Sequence, residues 1–154
     1  MRRIRRATAG DEDAVLALAD RLCEGVARWR DPEAVLTAVR GWVESSLATM
    51  EDPGHAVLVA ELDGTVVGFV TLSPTRHWSG EPEAEASIGE LVVSQQAQGR
   101  GIGSALVEAA MARARELGCA RISVSTGAAN ARARDLYRRL GFEDEDVSSS
   151  RALG

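Results

Sequence analysis

Apolar positions along this chain keep two different rhythms. Val15, Leu18, Ala19, Leu22 and Val26 recur at helical spacing as far as Trp29, and beyond Asp31-Pro32 the positions Val35, Leu36, Val39 and Val43 do the same. A proline fits the first turn of a helix, where its missing N–H is no loss, so a second helix is predicted to start there. Residues 3–7 alternate weakly and run into Gly10-Asp11, a turn carrying an N-cap residue, which predicts a short strand ahead of the first helix. The rhythm then changes. Residues 55–62 and 65–73 are rich in strand formers and are joined by Asp63-Gly64, the pair that a two-residue hairpin turn favours.

Residues 74–84 carry Pro74, Gly80, Trp78 and several charges without periodicity, and read as a loop. A strand is predicted over 88–94. It is followed by a glycine-rich stretch and by a long helix through Ala105, Leu106, Ala109, Ala110 and Leu117, which Gly118 ends. A further strand over 121–126 and a helix over 130–140 lead to a stop at Gly141-Phe142 and a last extended segment. No internal repeat interrupts this order.

Composition narrows the classes. With 154 residues, 45% hydrophobic and 27% charged, the chain is long enough for one domain with a sizeable core and too short for two, so residues 1–154 are read as a single domain. No apolar run approaches the roughly 18 residues of a membrane span, and no apolar stretch follows the four early arginines, so no membrane partner is expected and the cytoplasm is the expected location. The net charge of −5 gives no reason to expect nucleic acid as a partner. Every basic residue is arginine, which excludes a lysine Schiff base or a phosphate-binding loop lysine. Cys23 and Cys119 lie far apart and the chain has two histidines, so no metal site is expected and both thiols are read as buried and reduced. Arg2, Arg3, Arg5 and Arg6 flank a predicted edge strand, where charge discourages aggregation.

The stretch Gln98-Gly99-Arg100-Gly101-Ile102-Gly103-Ser104 lies between a predicted strand and a predicted helix. Glycines there let the backbone approach a ligand closely, and the helix dipole behind them favours an anion such as phosphate or pyrophosphate. A Walker loop needs a lysine that is absent. The dinucleotide fingerprint also fails, because its third glycine would fall at Ser104 or Leu106 depending on where the count begins.

These residues, from Leu91 to Leu106, closely resemble the coenzyme motif of the GCN5-related N-acetyltransferases, with Gln98, Gly101 and Gly103 in the three defining places. The stretch Asn130-x-x-Ala133-x-x-Leu136-Tyr137-x-x-x-Gly141-Phe142 resembles the second motif of the same family. The resemblance implies an α/β fold with a mixed, mostly antiparallel central sheet flanked by helices, and acetyl-CoA as cosubstrate. It also implies a strand splayed at a bulge, where Leu91, Val92 and Val93 would pair with the pantetheine arm while amides from Gln98 to Ser104 hold the pyrophosphate. Arg100 would add charge or face solvent.

An alkylammonium with a pKa near about 10 must lose a proton before it attacks a thioester, and the departing thiolate must be stabilised. The family pattern places the base at Glu90, which is otherwise a surface or structural carboxylate. It places the group facing the coenzyme sulfur at Tyr137, seven positions after Asn130 and so on the same helix face, although a phenol is a weaker acid than a thiol. Tyr137 would otherwise pack under the coenzyme, and Asn130 either binds the arm or caps its helix. For the acceptor, His77 and Trp78 with Glu81, Glu83 and Glu85 either wall a cleft or form a solvated acidic loop. Trp29 and Trp42 are read mainly as core. The expected reaction is direct acetyl transfer to a primary amine of a small molecule. The alternatives are a protein N-terminus or lysine as acceptor, or an acyl-CoA sensor without turnover, and a homodimer is an expectation by family analogy.

Overall fold

The computed structural model describes residues 1–154 and contains one five-stranded sheet in the order β1-β2-β3-β4-β5. The strands are β1 (Arg2–Arg6), β2 (Ala56–Leu62), β3 (Thr65–Thr75), β4 (Glu85–Val93) and β5 (Arg121–Val124). Adjacent pairs are antiparallel except β4 and β5, which run parallel, so the sheet is mixed and mostly antiparallel as expected. Helices α1 (Glu12–Leu18) and α2 (Pro32–Ala48) pack on one face, and α3 (Ile102–Glu116) and α4 (Ala131–Arg139) on the other. Alternation along the strands divides the core accordingly. Val59 and Phe69 face Val15 and Val43, whereas Val70, Leu72 and Ile88 face Leu106 and Val107.

Several predicted boundaries move, among them the end of β5, which stops at Val124 rather than at residue 126. The first helix ends at Leu18 and continues as 3-10 turns over Ala19–Gly25; side chains three apart then eclipse, and Arg21 and Glu24 form an ion pair at 3.1 Å. β3 runs on through Pro74, and β4 starts at Glu85, which shortens the loop to residues 76–84. Pro74 is accommodated because β2 reaches only to the partner of Leu72, so that end of β3 has a neighbour on one side alone. The segment after Gly141 forms no strand. Both cysteines are free and half-buried rather than fully buried. As predicted, β1 is an edge strand, and Asp63-Gly64 turns the β2–β3 hairpin.

The decisive irregularity lies between β3 and β4. Val70 pairs with Leu91 and Leu72 with Ile88, so Thr71 alone opposes both Gly89 and Glu90. This is a β-bulge, and it turns Glu90 onto the α2 face while returning Leu91 to the α3 face. No helix is long and apolar enough to cross a membrane.

Candidate active site

The parallel pairing of β4 with β5 ends at Ile88 and Val124. Past the bulge β4 therefore continues without a neighbour on that side. Ser94 donates its N–H to the Val67 carbonyl across the β3 edge, and Val92 opposes Phe69 two positions earlier; the N–H and C=O groups of Leu91 and Val93 consequently point into the gap. One of them is engaged, since Nε of Arg21 donates to the Val93 carbonyl at 2.7 Å. The others form an open strand edge buried inside the molecule.

This gap opens into a cavity of about 420 Å³. Leu91, Val92 and Val93 line one wall; Gln98, Gly99 and the stretch from Gly101 to Ser104 line a second; Asn130, Ala133 and Leu136 line a third. The residues selected from sequence to hold the coenzyme thus meet in one place except Arg100, whose side chain is exposed and does not line the cavity. Gly99 and Gly101 have φ of 79° and 74°, a region that a residue with a Cβ enters only at a cost. The amides of Gly99, Arg100 and Gly101 make no backbone hydrogen bond, and Gly101 caps α3 without a side-chain acceptor. With the free amides of the first helical turn, they form a run of donors at the positive end of the dipole, which suits a diphosphate. A Cβ at Gly103 would come within 3.3 Å of Leu136, so α3 and α4 meet tightly beneath the loop.

Glu90 lies at the bulge with 7% of its surface exposed. Its carboxylate accepts from the Ser46 hydroxyl at 2.6 Å, and its N–H donates to Oγ1 of Thr71 at 2.9 Å. Burial raises its pKa above the ordinary glutamate value, partly opposed by the Ser46 hydrogen bond. On the α2 side it borders a second, smaller cavity of about 230 Å³. Glu90 lines this pocket and Leu91, the next residue, lines the larger one, so neighbouring residues of β4 serve the two cavities.

Tyr137 does not line the larger cavity. It is 7% exposed, its ring lies 5.5 Å from that of Phe142, and burial alone pushes its hydroxyl up to about 12. The expected shared face fails because Asn130 is the N-cap, with non-helical dihedrals and its Oδ1 accepting from the Ala133 amide at 3.1 Å, so the helical phase starts only after it. Ala133 and Leu136 face the cavity instead.

The acceptor-side residues chosen from sequence lie elsewhere. His77, Ser79 and Glu81 form a local hydrogen-bonded chain, Trp78 is 83% exposed, and neither cavity touches them. Glu85 is a buried strand residue paired with Arg121, not part of a solvated loop. Trp29 and Trp42, read as core, are 64% and 55% exposed: Trp29 falls in the turn before α2, and α2 presents Val39, Val43 and Leu47 to the sheet and leaves Trp42 on its outer face. Sequence reasoning missed Arg21, Arg132 and Arg139, which bring positive charge to the cavity, and Ser46, which holds Glu90. The seven-residue interval between Arg132 and Arg139 was a readable signal of a common helix face; Arg21 had none. Next to the cavity, Gly25 and Gly127 touch backbone to backbone. A Cβ at Gly127 would overlap the Gly25 carbonyl, and one at Gly25 would lie 2.8 Å from Cβ of Asn130.

A sheet split by a bulge, with an amide-rich helix start at one end of the split and a buried carboxylate at the other, defines a domain of the acyl-carrier-binding transferase type. The acetyltransferase (GNAT) family model matches residues 19–142, and the chain belongs to that family. An uncharacterised N-acetyltransferase of Methanocaldococcus jannaschii is 33% identical over 106 residues, covering 69% of this chain and 46% of that protein, so the chain spans about half of that relative's length. An aminoalkylphosphonate N-acetyltransferase of Salmonella typhimurium is 30% identical over 155 residues, covering 97% of this chain and 90% of its own. Among solved structures, a putative acetyl transferase from Pyrococcus furiosus superposes with a TM-score of 0.79 at 20% identity, covering 99% of this chain and 100% of that one, and shares the fold.

Proposed function

We propose that this protein transfers an acetyl group from acetyl-CoA to the primary amine of a small molecule. The observation that carries the reading is the bulge: it opens β4 toward the larger cavity and places a buried carboxylate at the apex of the opening. The exposed amides between Gly99 and Ser104 would hold the coenzyme's diphosphate, with Arg132 and Arg139 on the facing wall. The open edge at Leu91 and Val93 would pair with the amides of the pantetheine arm, as an added strand pairs with a sheet. The coenzyme supplies the activated acetyl group, and the protein positions the partners and manages protons.

Glu90 is the base in this reading. Its raised pKa makes it a better acceptor for the ammonium proton than an exposed glutamate, and Ser46 keeps the carboxylate aimed. Although the Tyr137 ring does not line the larger cavity, its hydroxyl has no partner in the protein and is not sealed from solvent, and in this reading it would donate a hydrogen bond toward the leaving sulfur. With its hydroxyl pushed up to about 12 and a thiol near about 8.5, complete proton transfer would be uphill by about 5 kcal/mol. The small-molecule acceptor is favoured by the compact pocket beside Glu90 and by the Salmonella relative, whose name specifies an aminoalkylphosphonate.

The test is free thiol release from acetyl-CoA with a panel of amines, alongside calorimetric coenzyme binding. Glu90→Gln is expected to lower kcat/KM by about 10²-fold or more with unchanged coenzyme affinity, and to abolish an acid limb lying above the usual glutamate range. Tyr137→Phe is expected to lower kcat with little loss of stability, because its hydroxyl has no protein partner to lose. Binding without thiol release for any amine would leave a carrier-binding module; absence of binding would end the proposal.

A further inference from the structure

The pocket on the α2 side of Glu90 has a lining that specifies more than an amine. Five of its ten residues are hydroxyl-bearing, namely Ser45, Ser46, Thr49, Thr71 and Ser73, and only two are hydrophobic. Several of these hydroxyls have unused capacity. Ser46 donates to Glu90 and keeps its lone pairs, and Ser45 and Ser73 make no side-chain hydrogen bond; Thr71, by contrast, is engaged with Glu90, accepting from its N–H. His55 adds a ring nitrogen. Its Nδ1 lies 3.1 Å from the Pro53 carbonyl, which can only accept, so Nδ1 bears a hydrogen and Nε2 is the nitrogen left for a ligand.

Charge and size complete the picture. Glu90 is the pocket's one carboxylate and no arginine lines it, so a cation is accommodated and an anionic group finds no permanent counter-charge. A volume of about 230 Å³ lies below the roughly 300 to 1,000 Å³ usual for drug-sized ligands, so the pocket seats a compact group and the bulk of a multi-ring antibiotic or a peptide would stay outside it.

We infer that the acceptor is a compact, cationic amine that also carries hydroxyl groups, an amino alcohol or a short hydroxylated amine, seated among these serines and threonines with its nitrogen toward Glu90. The inference rests on the acetyl-transfer reading above and departs from the phosphonate named for the Salmonella relative, since that substrate class would bring a negative charge into a pocket without arginine.

The experiment pairs an acceptor panel with two pocket variants. Compact amino alcohols, matched alkylamines lacking the hydroxyl, aminoalkylphosphonates, aminoglycosides and peptide N-termini are compared by kcat/KM in the thiol-release assay. The amino alcohols are expected to lead their alkyl counterparts by about fivefold or more, the ratio for one hydrogen bond of about 1 kcal/mol. Ser45→Leu, at an exposed position that tolerates the change, and Ser73→Val, which places methyl groups in the pocket, are expected to raise the acceptor KM about tenfold while calorimetry finds unchanged coenzyme affinity. A lead for alkylamines, phosphonates, aminoglycosides or peptides, or an acceptor KM indifferent to both variants, overturns the inference and leaves acetyl transfer standing. Failure of the wild-type protein to bind the coenzyme removes both.

Discussion

Arg5 is the residue on which the N-terminal edge depends. Its guanidinium donates to both oxygens of Asp11, at 2.7 and 2.9 Å, and to Glu61 at 2.7 Å, joining β1 to β2 and to the turn before α1. Asp11 is 7% exposed and also accepts from the Thr8 amide. The Arg5 hydrogen bonds hold its carboxyl well below the usual aspartate range, with burial acting in the opposite direction. A carboxylate whose pKa is depressed on folding contributes stability that is complete above the unfolded value near 3.8 and is lost as pH falls through the folded value. Asp11→Asn is therefore expected to cost about 2 kcal/mol at neutral pH, with the difference from wild type shrinking as pH drops below the ordinary aspartate range. Denaturant midpoints across that range check it, and a penalty that stays constant with pH would show that the ion pair is not its source. The exposed pair between Arg40 and Asp20, by contrast, is worth little.

Among the elements, the glycine loop and α3 were readable because their signal is local: alternating glycines with no lysine, then a helical apolar stripe. The β2–β3 hairpin was readable from two adjacent turn residues for the same reason. The bulge was not. Gly89 and Glu90 look like ordinary strand residues until Thr71 is known to oppose them both, and strand pairing across 19 positions leaves no local mark. Tyr137 was misaligned by one capping residue, and the tryptophans by a general tendency that the helix's own apolar stripe overrode. Arg21 became visible only when the 3-10 turns carried it to the β4 edge. The loop's dependence on its left-handed residues is testable. Gly101→Ala forces a Cβ into φ of 74°, and a penalty of about 1 to 2 kcal/mol is expected to weaken coenzyme binding roughly tenfold; calorimetry reads it, and an unchanged Kd would mean that the loop does not hold the coenzyme as proposed.

At the scale of the whole molecule, one strand separates two working spaces. The sheet face covered by α1 and α2 carries the hydroxyl-lined pocket, the gap toward β5 carries the larger cavity, and the neighbouring residues Glu90 and Leu91 line one each. In the proposed reading the two partners would be held at once, one on each side of this strand.

Gly25 and Gly127 meet backbone to backbone close to Glu24 and Asn130, which line the larger cavity. In the proposed reading, a main-chain contact at that margin could not swing aside as a side chain can, so a longer acyl tail directed there would find no room. Turnover is expected to decline from acetyl through propionyl to hexanoyl carriers, measured as kcat/KM with one fixed amine; equal rates along that series would mean that the tail finds another exit.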